Sequence, residues 1–193
     1  MFLQLFIFAD VPAVNNLNMK KILFAMFCAL SMVCFFSCGP EDSVTYELKP
    51  REELPVKEDG SFTKIFLAGT IDMGNSVDWQ AQLKEYFSGK EGRYILYNPR
   101  RGSWNGGAGG EMEYQVNWEL EHLEKADIII MNILGSSKSP ITLLEMGLHA
   151  RSGKLYVACE PSFYRYDNVR ITCAYYGIPL YPSLDALLES LGL

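Results

Sequence analysis

Asp127-Ile128-Ile129-Ile130-Met131 is a continuous apolar run behind a single acidic residue. Such a run predicts a strand in a parallel sheet covered on both faces, where neither side of the strand meets water. Working outward, Ser139-Pro140-Ile141-Thr142-Leu143-Leu144-Glu145-Met146-Gly147-Leu148-His149-Ala150 follows as a helix. Ser139 suits the N-cap, and Pro140 suits the first helical position, where a missing N–H is harmless. Apolar residues occupy most faces of this helix, which predicts packing against a sheet. Glu145 is its only acidic residue, and a carboxylate in such surroundings must be paired, protonated or used. A rim glutamate reaching water satisfies the same pattern, so position alone leaves both readings open.

Alternation of short apolar runs with amphipathic stretches extends in both directions. Lys64-Ile65-Phe66-Leu67-Ala68 reads as a strand ending at Gly69, and Tyr94-Ile95-Leu96-Tyr97 as a second, stopped by Asn98-Pro99. Between them, residues 78–87 carry Trp79, Leu83, Tyr86 and Phe87 at helical spacing, with Gln80, Gln82, Lys84 and Glu85 expected outside. Residues 100–110 hold five glycines and Trp104, a long loop of the kind that often carries function. A helix over residues 111–125 precedes the Asp127 strand. Leu155-Tyr156-Val157-Ala158 is the next strand, followed by a helix over residues 168–176, a short edge strand Ile178-Pro179-Leu180, and a helix over residues 184–191. Five strands alternating with five helices predict an α/β fold. The expected architecture is a flavodoxin/Rossmann-like open parallel five-stranded sheet with helices on both faces. Ligands of such sheets bind beyond the carboxyl ends of the strands. Residues 69–72, 98–110 and 132–139 lie there, and the Glu145 helix opens from the same edge.

The 193 residues, 49% hydrophobic and 21% charged, suffice for one ordinary domain. A net charge of -6 argues against a nucleic-acid binder, which would present a basic face. Met19-Lys20-Lys21 followed by the apolar residues 22–36 reads as a secretory signal, short for a membrane span. Phe35-Phe36-Ser37-Cys38, followed by Gly39-Pro40-Glu41-Asp42-Ser43, resembles a bacterial lipoprotein signal with Cys38 as the lipidated residue, Phe35 standing where leucine is usual. The expected organisation is a signal segment over residues 1–38 with the start at Met19, a flexible linker over 39–62, and a domain over 63–193. Its expected location is the bacterial cell envelope, membrane-anchored through the lipid, or the cytoplasm if the signal does not function. Cys159 and Cys173 sit in apolar surroundings and read as buried free thiols. His122 and His149 lack partners at metal spacing, so no metal site is expected.

Five segments, in this order, carry a family resemblance: Phe66-Leu67-Ala68-Gly69-Thr70, Asn98-Pro99-Arg100-Arg101, Trp118-Glu119, Ala126-Asp127-Ile128-Ile129, and the stretch from Ser139 to Gly147. Together they resemble the nucleoside 2-deoxyribosyltransferase-like superfamily, especially its short bacterial members, over residues 64–177. The resemblance implies an N-glycosidic bond enzyme acting on (deoxy)nucleosides or their 5′-monophosphates. Glu145 is then the nucleophile, forming a covalent glycosyl-glutamate through an oxocarbenium-like transition state. Glu119 stands where the family places an aspartate that contacts the base, in reach to protonate it.

Ser139 occupies a position where classical transferases carry aspartate and monophosphate hydrolases carry serine. With the N–H groups of the helix start and with Arg100 and Arg101, it is a candidate phosphate contact. Gly69, Asp72, Asn98 and Trp104 complete the candidate substrate-binding set, Asp72 toward a sugar hydroxyl and Trp104 stacking on a base. Ile65 stands where classical members carry a tyrosine that orients the nucleophile. This chemistry needs no cofactor. Classical relatives complete their sites across subunits, which leaves a homo-oligomer open. The competing reading is a non-catalytic, membrane-tethered lipoprotein binding a nucleotide-like ligand or a protein partner. Location favours that reading, because nucleoside salvage belongs in the cytosol. The two differ at Glu145, which in an enzyme should line an open cleft beside Glu119.

Overall fold

The structure, a computed structural model, describes residues 43–102 and 106–191. The signal segment with Met19 and Cys38, and Trp104 in the glycine-rich loop, lie outside the described residues. Among the described residues six strands form one sheet: β1 (Val44–Leu48), β2 (Thr63–Gly69), β3 (Arg93–Tyr97), β4 (Ile128–Ile133), β5 (Leu155–Cys159) and β6 (Leu180–Tyr181). Five helices accompany them: α1 (Trp79–Ser88), α2 (Glu111–Lys125), α3 (Pro140–His149), α4 (Tyr166–Tyr176) and α5 (Leu184–Ser190). The strand order is β1-β3-β2-β4-β5-β6. Every pairing is parallel. The architecture is therefore the expected open α/β sheet with one strand more than expected.

The apolar run in β4 is explained by what covers it. Ile129, Met131 and Ile133 join Trp118 and Leu123 of α2, Met146 of α3 and Val169 and Cys173 of α4 in one core cluster. Ile130 points the other way, into a second cluster with Trp79, Leu83 and Phe87 of α1 and Leu184, Leu187 and Leu188 of α5. A strand buried from both sides has no polar face to show. Each such aliphatic or aromatic side chain contributes about 1.5–3 kcal/mol on burial. Cys159 and Cys173 are free and buried, as their surroundings indicated.

The sixth strand corrects the reading of residues 39–62 as a flexible linker. Val44-Thr45-Tyr46-Glu47-Leu48 pairs in parallel with β3 at the sheet edge. Val44, Tyr46 and Leu48 face the core cluster, while Glu47 forms an ion pair with Lys84 (2.9 Å). A five-residue alternation inside polar sequence gives little periodic signal; what stabilises it is the free edge of β3. The chain after it is also tied down, for Tyr97 Oη donates a 2.8 Å hydrogen bond to Glu58.

Two smaller differences concern helices. α4 begins at Tyr166, earlier than residue 168. Gln80, expected outside, is fully buried, its side chain accepting a 3.0 Å hydrogen bond from Arg100 Nε. Asp78 caps α1 by accepting from the Ala81 amide (3.1 Å).

Candidate active site

Without β1 the strand order is that of flavodoxin, and the direction of winding reverses between β2 and β4. Open parallel sheets take their ligands at this switch point. β2 ends there at Gly69, where φ is +137° and an added Cβ would clash with the backbone carbonyl of Asn132. Only glycine fits so close to the neighbouring strand.

Thr70, next in the chain, has every polar atom engaged. Its amide donates to the Asn132 carbonyl (2.9 Å). Its own carbonyl accepts from Trp79 Nε1 (2.8 Å) and from Ser76 Oγ (3.2 Å). Its Oγ1 accepts from the Leu134 amide (3.0 Å) and lies 2.7 Å from Ser139 Oγ.

Ser139 stands at the N-cap position of α3, but its side chain does not cap the helix. The hydroxyl is committed to Thr70 instead, and the backbone is left-handed at φ 43°, ψ 52°. That conformation costs a non-glycine residue about 1–2 kcal/mol. The expectation of an ordinary serine cap is thus corrected. Buried on the inner face of α3 are Thr142, Glu145, Met146 and His149. Glu145 is 8% exposed. Among the described residues its carboxyl receives no hydrogen bond or ion pair. Burial, and then the charge of nearby Glu119, push it up to about 8. A helix-terminus effect of at most about 1–2 kcal/mol is too small to offset a rise of that size. Raised to about 8, Glu145 holds a proton at neutral pH.

Glu119 approaches from α2. Its carboxylate accepts a 2.9 Å hydrogen bond from Gln115 Nε2, and the same amide donates to the Pro99 carbonyl (3.0 Å). Burial raises Glu119 above the ordinary carboxylate range, while the Gln115 hydrogen bond pulls it back. A buried carboxyl without a hydrogen bond beside a half-buried one that has one is the arrangement that separates a nucleophile from a proton donor.

The other candidates divide. Arg100 is buried, and its guanidinium is taken up by Gln80, by the Ser76 hydroxyl (2.8 Å) and by the carbonyls of Gly74, Ser76 and Val77. Asp78 adds an ion pair at 3.5 Å. It clamps the β2–α1 loop and is no phosphate ligand here. Asn98 is equally committed, donating to Glu47 (2.7 Å) and accepting from the Arg100 amide (2.9 Å). Arg101 pairs with Glu111 (2.7 Å) at the start of α2. Asp72 is exposed on the turn after β2, with φ 52°. Ile65 packs toward α1 on the opposite face from α3, so position 65 cannot orient Glu145. The residue of β2 on the α3 side is Phe66, whose ring lies 6.2 Å from that of Trp118.

Thr70 and Gln115 were not anticipated as site residues. Gln115 had a signal, standing four residues before Glu119 on one helix face. Thr70 closes the segment from Phe66 that carries the family resemblance, but its type and position gave no sign of chemistry. One surface cleft, of about 330 Å³, lies between α3 and α4, lined by Leu143, Met146, Gly147, Val169 and Thr172 among others, away from the carboxyl pair.

An open parallel α/β sheet in this strand order is a Rossmann-like fold. Residues 63–163 match the family described as nucleoside 2-deoxyribosyltransferase like. With more than half of its length matched, the chain belongs to that family. A comparison with curated proteins finds no match.

Proposed function

We propose that this chain cleaves or exchanges the N-glycosidic bond of (deoxy)nucleosides or their 5′-monophosphates, with Glu145 as nucleophile and Glu119 as acid and base. The observation that carries the reading is the carboxyl pair itself: Glu145 is buried with no hydrogen-bond partner among the described residues, and Glu119 is half-buried and held by Gln115. The pair begins with Glu145 protonated and Glu119 ionised. On substrate binding the proton passes to Glu119, leaving Glu145 anionic. Its oxygen attacks C1′, and the C1′–N bond breaks with its electrons passing to the base. The base takes the proton from Glu119. Water or a second base then attacks C1′, giving its proton to Glu119 and releasing Glu145. No cofactor enters.

Membership of the family supports nucleoside substrates. Phosphate recognition has less support than the motif suggested, because Arg100 and Asn98 are spent on structure and Ser139 on Thr70. The chain acts as a homo-oligomer in this reading. What supports it is the outer face of α3, where Ile141, Leu144 and Leu148 are each more than half exposed with no charge among them. Cys38 anchors it to the envelope membrane.

One observation favours the rival, a non-catalytic binding lipoprotein. Glu145 is almost closed off rather than lining an open cleft. The test is incubation with a panel of deoxynucleosides and their 5′-monophosphates, with and without a second free base, following base release and exchange. Turnover that vanishes in Glu145→Ala supports the enzyme. No turnover across the panel sinks it for these substrates and leaves the binding reading.

A further inference from the structure

Thr70 is hydrogen-bonded to five residues from different parts of the fold while only 1% exposed. Its partners are Asn132 at the end of β4, Leu134 in the loop beyond, Trp79 at the start of α1, Ser76 in the β2–α1 loop and Ser139 before α3. Ser139 is the strained member of this set. Its side chain does not cap its own helix, and among the described residues its Oγ has one hydrogen-bond partner, Thr70. A left-handed serine persists only where the surroundings over-determine it.

We infer that Thr70 is the positioning residue of the carboxyl site. It fixes the turn at Ser139 and with it the direction in which α3 delivers Glu145 toward Glu119. Pro140 follows immediately, with its own φ fixed, so the turn at Ser139 sets the helix axis. Glu145 lies about 9 Å further along that axis. A tilt of about 10° at the turn would move its carboxyl by about 1.5 Å, a misplacement that costs a reaction about a hundredfold. Arg100 supports Thr70 from behind. Its Nη2 donates to Ser76 Oγ (2.8 Å), and that hydroxyl lies against the carbonyls of Ile71 (3.0 Å) and Thr70 (3.2 Å). A residue expected to hold phosphate thus holds the loop that holds Thr70.

The kinetic half of the test rests on the glycosidic reading; the titration half does not. Thr70→Val keeps the side-chain shape and removes the hydroxyl, whereas Thr70→Ser keeps the hydroxyl. In the full chain, the Glu145 carboxyl is titrated by carbon NMR, and kcat and KM are measured for base release. Thr70→Val should move the Glu145 midpoint by more than about half a pH unit. It should also lower kcat by about tenfold or more while KM changes by less than about threefold. Thr70→Ser should restore both. Should Thr70→Val fail to fold, Arg100→Met carries the same comparison. A variant that melts earlier yet titrates and turns over like the wild type overturns the inference. If the wild type turns over no nucleoside, the titration alone decides, so the two readings fail separately.

Discussion

The charge of Glu119 on α2 reaches Glu145 on α3, and among the described residues only Glu119 of the two has a hydrogen-bond donor, Gln115 at 2.9 Å. That asymmetry separates the two carboxyls chemically. Burial raises both, the Gln115 bond restrains Glu119, and the charge of Glu119 adds to the rise in Glu145. The first expected outcome concerns this bond. Gln115→Met removes the donor, so the Glu119 titration should move upward from its wild-type position, read by carboxyl NMR. No movement would mean the hydrogen bond does not tune Glu119.

Charge coupling gives the second. Glu119→Gln removes the negative charge beside Glu145. The Glu145 midpoint should then fall below about 8, and any pH–rate profile that rises with ionisation of Glu145 should shift to lower pH with it. An unchanged midpoint would show that the two carboxyls do not interact.

Linkage between ionisation and folding gives the third, with a definite sign. Glu145 titrates at about 8 in the fold against an ordinary 4.5. Below pH 4.5 it is protonated in both states and has no effect on stability. Between 4.5 and 8 the unfolded chain ionises while the folded one keeps its proton, so stability falls as pH rises, by at most about 1.4 kcal/mol per unit. Above 8 the loss is complete. Glu145→Gln removes this liability. The melting temperature of the variant should exceed that of the wild type by an amount that grows through this window and then levels off. A difference independent of pH would contradict the buried, protonated carboxyl.

Two glycines make a paired prediction. Gly69→Ala puts a Cβ against the Asn132 carbonyl at a φ of +137° and should cost at least about 3 kcal/mol, or prevent folding. Gly147 lies within α3 with open space around its would-be Cβ. Gly147→Ala should therefore stabilise by about 1 kcal/mol. Urea midpoints of the two variants check both.

The outer face of α3 yields the last. Leu144→Glu and Leu148→Glu alter residues that are largely exposed in one chain, with 59% and 57% of their surface open. They should leave the unfolding free energy within about 0.5 kcal/mol of wild type while shifting sedimentation toward a monomer. A wild type that is already monomeric would remove the homo-oligomer from the account.

What the sequence made legible was whatever its local periodicity encodes. β4 is apolar on both sides because both sides are covered, and α2 was bounded at the residues the structure gives it. Glu145 stood out because it is the only acid on a helix that packs inward, whereas Glu119, one of several acids on α2, was singled out only through the family resemblance. β1 was not, since an edge strand of five residues depends on a partner distant in sequence. Arg100 shows the deeper limit. An arginine at a strand end reads as a ligand for anions, and only the tertiary fold reveals that Gln80, Ser76 and three carbonyls have taken its donors. Ser139 failed as a cap for a similar reason, because Thr70, far away in sequence, competes for its hydroxyl.

The central claim is that Glu145 forms the covalent bond to the sugar, and mass spectrometry tests it most directly. The protein would be quenched with acid during turnover of the best substrate of the panel, digested and mapped. The account predicts a mass increase of one deoxyribosyl or deoxyribosyl-phosphate unit on the peptide containing Glu145, absent from Glu145→Gln. Turnover that persists in Glu145→Gln, or an adduct carried by another residue, would contradict it.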